Sequence, residues 1–197
     1  MKNLPVPVSY YFAAARYTVS MPGMKSGIIV ILFLLSAFLS FGYSLREGPE
    51  KTVRVTRIYD GDTVGALVAG RFEKIRMIGI DAPEMDQGAW GRRSKKCIES
   101  LIAAEGATVF LEYDVERRDK YGRLLAYIRT KDGRLLNEEL LRNGCVVLFT
   151  IPPNVRYAGR FRAAQKKARE QKAGVWHENG LREQPSEYRR EHPRRYP

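Results

Sequence analysis

The stretch Ile75-Arg76-Met77-Ile78-Gly79-Ile80-Asp81-Ala82-Pro83-Glu84 decides the reading of this chain. Apart from Arg76, residues 75–80 are apolar or glycine, so they read as a strand, with Asp81 at its end. Pro83 stiffens the turn that follows, which lets the Ala82 carbonyl and the acids Asp81 and Glu84 converge. An arginine beside a buried strand face is costly unless it meets an anion. Without the acids downstream, an outward-pointing or structurally paired Arg76 would be the plainer reading.

Two more polar clusters flank strand-like segments: Asp60-Gly61-Asp62-Thr63 and Asp119-Lys120-Tyr121-Gly122-Arg123. Each alone is an ordinary turn former. Together the three clusters supply carboxylates for a hard metal ion and guanidinium groups for a phosphate, the components of a metal-assisted phosphodiesterase. Asp62, Asp81 and the Ala82 carbonyl would bind a cation such as calcium, leaving room for water and a phosphate oxygen. Arg76 and Arg123 would clamp non-bridging oxygens and stabilise the extra charge of the five-coordinate transition state. Glu84 would orient or deprotonate the attacking water, or serve as a third ligand. Tyr121, in the same turn as Arg123, is a candidate for stacking on a base. The only histidines are His177 and His192, so histidine acid–base chemistry is poorly supplied.

The net charge is +12, and beyond residue 42 it is still +9, because only Lys2, Arg16 and Lys25 precede that point. This excess points to a polyanionic partner, nucleic acid before anionic lipid. Cys97 and Cys145 are too few and too far apart for a zinc site and read as free buried thiols or one disulfide.

Lys25 precedes the apolar run 27–41, and Ser40-Phe41-Gly42 offers a small-x-small cleavage pattern. Residues 27–44 read as a signal-peptide h-region and cleavage site, or as a membrane anchor through residues 27–43. Residues 1–26 read as an N-terminal extension, and a start at Met21 or Met24 is expected, since Met24 onward gives a more ordinary export signal. The chain is therefore expected to be secreted or periplasmic, or else tethered with its domain outside the cytoplasm.

Residues 45–178 form the expected domain. Strands are expected at 52–59, 64–68, 72–80, 108–115 and 124–130, with a turn at Ala69-Gly70-Arg71. Helices are expected at 92–105, from an Asn137 N-cap to Gly144, and at 157–172. This is an α+β, mainly β pattern: a small five-stranded closed barrel of the oligonucleotide/oligosaccharide-binding (OB) type with helical additions. Residues 179–197 are charged, contain prolines, have no apolar stripe and read as a disordered tail.

In order and spacing, Asp60-Gly-Asp-Thr63, Ile75-Arg76 with Ile80-Asp81-Ala82-Pro83-Glu84, and Asp119-Lys-Tyr-Gly-Arg123-Leu-Leu-Ala-Tyr127 resemble the staphylococcal nuclease (thermonuclease) family. Asn137-Glu138, Leu141-Arg142-Asn143-Gly144 and Gly174-Val175-Trp176 extend the resemblance, which covers roughly residues 52–178. It implies a five-stranded OB-fold barrel with three helices and a calcium-dependent endonuclease acting on DNA and RNA. Carried over, Asp62 and Asp81 bind calcium by side chain and Ala82 by its carbonyl, where the family usually has threonine. Arg76 and Arg123 contact the scissile phosphate, Glu84 is the general base, and Lys120 and Tyr121 flank the nucleotide. Residues 85–91 lack the lysine-rich excursion of the staphylococcal member, and 148–153 lack its nucleotide-holding tyrosines. A monomer is expected. The alternative is a barrel that kept nucleic-acid binding and lost catalysis, but retention of Asp62, Arg76, Asp81, Glu84 and Arg123 favours the enzyme.

Overall fold

The computed structural model describes residues 51–193. The expectations for the extension, the apolar run and residues 194–197 lie outside that range. Among the described residues, no helix is long and apolar enough to cross a membrane.

Five strands close into a barrel in the order β1-β2-β3-β6-β5, where β1 is Lys51–Ile58, β2 Thr63–Val68, β3 Arg71–Met77, β5 Thr108–Glu112 and β6 Leu124–Arg129. All neighbours are antiparallel except β3 and β6, which run parallel. The β2–β3 hairpin closes on the Val68–Arg71 pair, with Ala69 and Gly70 between them at φ 50° and 78°. Positive φ at both positions matches the twist that a two-residue hairpin turn requires. Alternation sends Val53, Val55, Val64, Ala66, Ile75, Met77, Val109, Leu111, Ala126 and Ile128 into the core.

The strand expected at 72–80 is two strands. β3 stops at Met77, and Ile80–Asp81 (β4) pairs instead with Val147–Leu148 (β7), with Asp81 opposite Val147. The chain leaves the barrel at Ile78-Gly79, where Gly79 has φ 80°. That exit carries Asp81 to the edge of the barrel instead of along its wall.

Helix α1 (Trp90–Ala104) packs through Ile98 and Ile102, and α2 (Leu136–Arg142) through Leu136, Leu140 and Leu141. Helix α3 (Ala158–Glu170) lays Phe161 edge-on against Tyr127, at 5.9 Å between ring centroids. Asn137 is not an N-cap: that position is Leu135, and Asn137 is fully buried. Its Nδ2 donates to the Ile78 carbonyl at 2.8 Å, and its Oδ1 accepts from the Ile128 amide at 3.0 Å. It thereby satisfies backbone groups freed where β3 ends. Cys97 and Cys145 form a disulfide, with their Cα atoms 6.3 Å apart, which ties α1 to the segment after α2.

The segment read as a disordered tail is partly folded: Pro185–Glu191 forms α4. Pro185 opens it buried at the first turn, and Gln184 and Glu187 make a reciprocal capping box. Local capping and one buried proline thus replace the missing apolar stripe.

Candidate active site

The acids and Arg76 meet where β2 starts and β3 ends. Thr63 pairs with Arg76 across the β2–β3 ladder, and the Met77 amide donates to the Asp62 carbonyl at 2.9 Å. The 60–63 turn is thus folded onto the end of β3. Asp62 is 5% exposed. Its Oδ1 accepts from Thr63 Oγ1 at 2.7 Å and its Oδ2 from the Ala82 amide at 2.6 Å, so one side chain links the two acidic turns.

Arg76 spans the pair of aspartates. Its Nε lies 3.2 Å from Asp62 Oδ1, and its Nη2 donates to Asp81 Oδ1 at 2.9 Å. Nη1 donates to the carbonyls of Met77 at 2.8 Å and Ile80 at 2.7 Å. Among the described residues, three of its N–H groups donate hydrogen bonds, two from Nη1 and one from Nη2, and Nε is ion-paired with Asp62.

Glu84 is held by its turn and by α1. Its amide donates to Gln87 Oε1 at 3.2 Å, and its carbonyl accepts from the Gln87 amide at 2.9 Å. A Cβ on Gly91 would stand 2.1 Å from the Glu84 carbonyl oxygen, so the start of α1 can approach the acidic turn only with glycine there.

The structure brings Asp62, Arg76, Asp81, Ala82 and Glu84 together. The second guanidinium on these acids belongs to Arg189 of α4, a residue the sequence reading placed in the tail. Arg189 Nη2 donates to Asp81 Oδ2 at 2.8 Å, and Nη1 to Glu84 Oε1 at 2.8 Å. The available signal was Gln184-Pro185-Ser186-Glu187, a helix start made of polar residues.

Arg123 is held elsewhere. Its Nε donates to Asp119 Oδ2 at 2.7 Å, and Asp119 Oδ1 accepts from the amides of Tyr121 and Arg123. The turn enters β6 one residue before Leu124, which pairs with Ile75. It is therefore carried beside the strand that bears Arg76. Tyr121 is 70% exposed, with Lys120 Nζ and Arg123 Cζ 5.1 and 5.4 Å from its ring centroid. An exposed ring with two cations at its face suits stacking on a base next to phosphate.

The site holds more negative charge than its burial favours. Burial, reinforced by the Asp62 charge, pushes the Asp60 carboxyl up to about 6. Burial also raises Asp81, against the pull of Arg189 and Arg76. Arg189 is held in its charged form by Asp81 and Glu84 despite the burial that opposes it. Crowded, buried carboxylates are a donor set suited to a hard divalent cation. Among the described residues, no three acids, histidines or cysteines already stand as a complete metal cage. Asp62 and Asp81 with the Ala82 carbonyl would thus form a partial shell, completed by water and substrate. A cleft of about 560 Å³ beside the Cys97–Cys145 bridge, lined by Trp90, Ser94 and His177, contains none of these groups.

Residues 74–178 match the family described as staphylococcal nuclease homologue. The thermonuclease of Staphylococcus hyicus is 29% identical over 171 residues, covering 79% of this chain and 99% of that protein. The thermonuclease of Staphylococcus intermedius is 31% identical over 162 residues, covering 75% of this chain and 95% of its own length. Endonuclease YncB of Bacillus subtilis is 34% identical over 143 residues, covering 68% of this chain and 66% of that protein. With a closed five-stranded barrel and the Asp62–Arg76–Asp81–Glu84 cluster at its rim, the chain belongs to the staphylococcal nuclease family.

Proposed function

We propose that this protein is a calcium-dependent endonuclease that hydrolyses phosphodiester bonds of DNA and RNA with little sequence specificity. The observation that carries the reading is Arg76, bridging Asp62 and Asp81 beside Glu84, in a chain similar to proteins named thermonuclease and endonuclease. Asp62, Asp81 and the Ala82 carbonyl would hold the ion, which when bound supplies Lewis-acid polarisation of a phosphate oxygen. Arg76 would turn Nη2 to a non-bridging oxygen while Nη1 stays fixed on the Met77 and Ile80 carbonyls. Preorganised donors of this kind lower the barrier without reorganising as charge develops. Arg123, braced by Asp119, supplies a second guanidinium, and Glu84 accepts the proton of the attacking water. Lys120 and Tyr121 steady the flanking nucleotide through charge and stacking. None of these contacts reads a base edge, so cleavage follows backbone and flexibility more than sequence.

The protein acts outside the reducing cytoplasm, secreted or periplasmic. The Lys25-led apolar run and the Cys97–Cys145 disulfide support this, because such bonds persist in oxidising compartments. Sequencing the N-terminus of the exported product separates cleavage near Tyr43 from a retained anchor.

Incubating the purified protein with single-stranded DNA and with RNA, in calcium and then in excess chelator, tests the activity. Cleavage of both substrates that stops on chelation and returns with calcium is expected. A folded protein that binds DNA without cutting it would leave a binding module instead.

A further inference from the structure

Arg189 grips the same acids that the metal and the attacking water would need. Its Nη2 lies 2.8 Å from Asp81 Oδ2, while its Nη1 lies 3.2 Å from Asp81 Oδ1 and 2.8 Å from Glu84 Oε1. Arg76 takes Asp81 Oδ1 from the chain's own turn. Asp81 is 1% exposed, and both of its oxygens are engaged by guanidinium groups. An ion approaching Asp81 must therefore displace part of this network. Arg76 is locked by two backbone carbonyls as well as two aspartates, whereas Arg189 has a side chain 39% exposed.

Among the described residues, α4 and the residues leading into it have three further attachments of note. Gln87 Nε2 donates to the Glu183 carbonyl at 2.8 Å, Tyr188 Oη reaches the Asp86 carbonyl at 3.3 Å, and Pro185 is buried. A seven-residue helix is not stable on its own. Its order therefore depends on these contacts and on the Arg189 fork. A short helix held mainly by polar side-chain contacts belongs to the less stable parts of a fold.

We propose that α4 is a built-in plug, in which Arg189 and the divalent metal compete for Asp81 and Glu84. The proposal rests on the calcium reading of the site. Two consequences follow from the linkage of the two equilibria: calcium loosens α4, and α4 weakens calcium by the same factor. While α4 is docked, Arg189 Nη1 occupies Glu84 Oε1, the position a water facing that oxygen would take. The resting enzyme is thus held back until calcium is abundant, a property suited to a nuclease that must stay quiet during its own synthesis and export.

Calorimetric titration of the full chain with calcium tests this, using wild type, Arg189→Ala and Arg190→Ala. Arg190 is the exposed neighbour on the same helix and controls for loss of one positive charge. Arg189→Ala is expected to bind calcium on the order of tenfold more tightly, with Arg190→Ala close to wild type. Hydrogen exchange of the wild-type amides 186–191 is expected to speed up when calcium is added. Equal calcium affinity in wild type and Arg189→Ala, or α4 amides that calcium leaves protected, would overturn the plug and leave the metal site standing. Absence of calcium binding in all three proteins would overturn the metal reading and the plug with it.

Discussion

Arg76 Nη2 lies 2.9 Å from Asp81 Oδ1, five residues further along the chain, while Nη1 of the same guanidinium takes the carbonyls of Met77 and Ile80. The side chain therefore closes the turn that delivers its own partner. Its position is set by backbone at one nitrogen and by carboxylate at the others. A lysine keeps the charge but has no planar fork to satisfy both. For Arg76→Lys we expect kcat/KM on DNA to fall on the order of 100-fold to 1,000-fold. Circular dichroism should stay near wild type.

Asp119 acts through Arg123. Its two oxygens hold the Arg123 Nε and the amides of Tyr121 and Arg123, so the turn and the guanidinium share one brace. Asp119→Ala should lower cleavage about tenfold by freeing Arg123 to sample other rotamers. In an Arg123→Ala background the same change should cost almost nothing further, because the brace then has nothing to position. Steady-state kinetics of the two single variants and the double variant checks this, and additive losses would refute it.

Stability in acid should depend on Glu112, away from the site. Burial would raise this carboxyl, but bonds from Tyr157, Arg129 and Arg156 outweigh it and hold the group below its ordinary 4.5. The unfolded chain therefore takes up the proton first, and the contribution is fully present above about pH 4.5 and lost as pH falls through the lower folded value. Glu112→Gln leaves Arg129 and Arg156 facing a neutral amide and should cost about 2–3 kcal/mol at pH 7. Denaturant titrations at pH 7 and pH 3 should show this difference shrinking in acid.

The Cys97–Cys145 bridge closes a separation of 48 residues between α1 and the end of α2. By loop-closure entropy, its loss should destabilise the domain by up to about 4 kcal/mol. Replacing both cysteines with alanine should lower the denaturant midpoint by a corresponding amount. Activity measured well below that midpoint should change little, since neither sulfur touches the acids.

What the sequence disclosed, and what it hid, follows from the range of the interactions. Arg76 was legible because a charged residue in an apolar strand needs an anion, and Asp81 and Glu84 stand five and eight residues away. The barrel was legible from alternation and from the Ala69-Gly70 turn. Arg189 was not: its partners Asp81 and Glu84 lie 108 and 105 residues upstream, and its helix has no apolar face to announce packing. Asn137 looked like a cap because local rules favour asparagine there, yet the tertiary demand of Ile78 and Ile128 backbone groups claimed its side chain. The 72–80 strand was read as continuous because composition does not reveal the break, which pairing of β4 with β7 imposes.

On the proposed function, the rim acids and Arg76 carry out metal-assisted hydrolysis. The most direct measurement is single-turnover cleavage of single-stranded DNA at saturating calcium, comparing wild type with Asp81→Asn and Glu84→Gln. Each variant should be folded and bind DNA, and each should cut at least about 100-fold more slowly. Wild-type rates in either variant would contradict the role given to that residue, and wild-type rates in both would remove the site from the rim of the barrel.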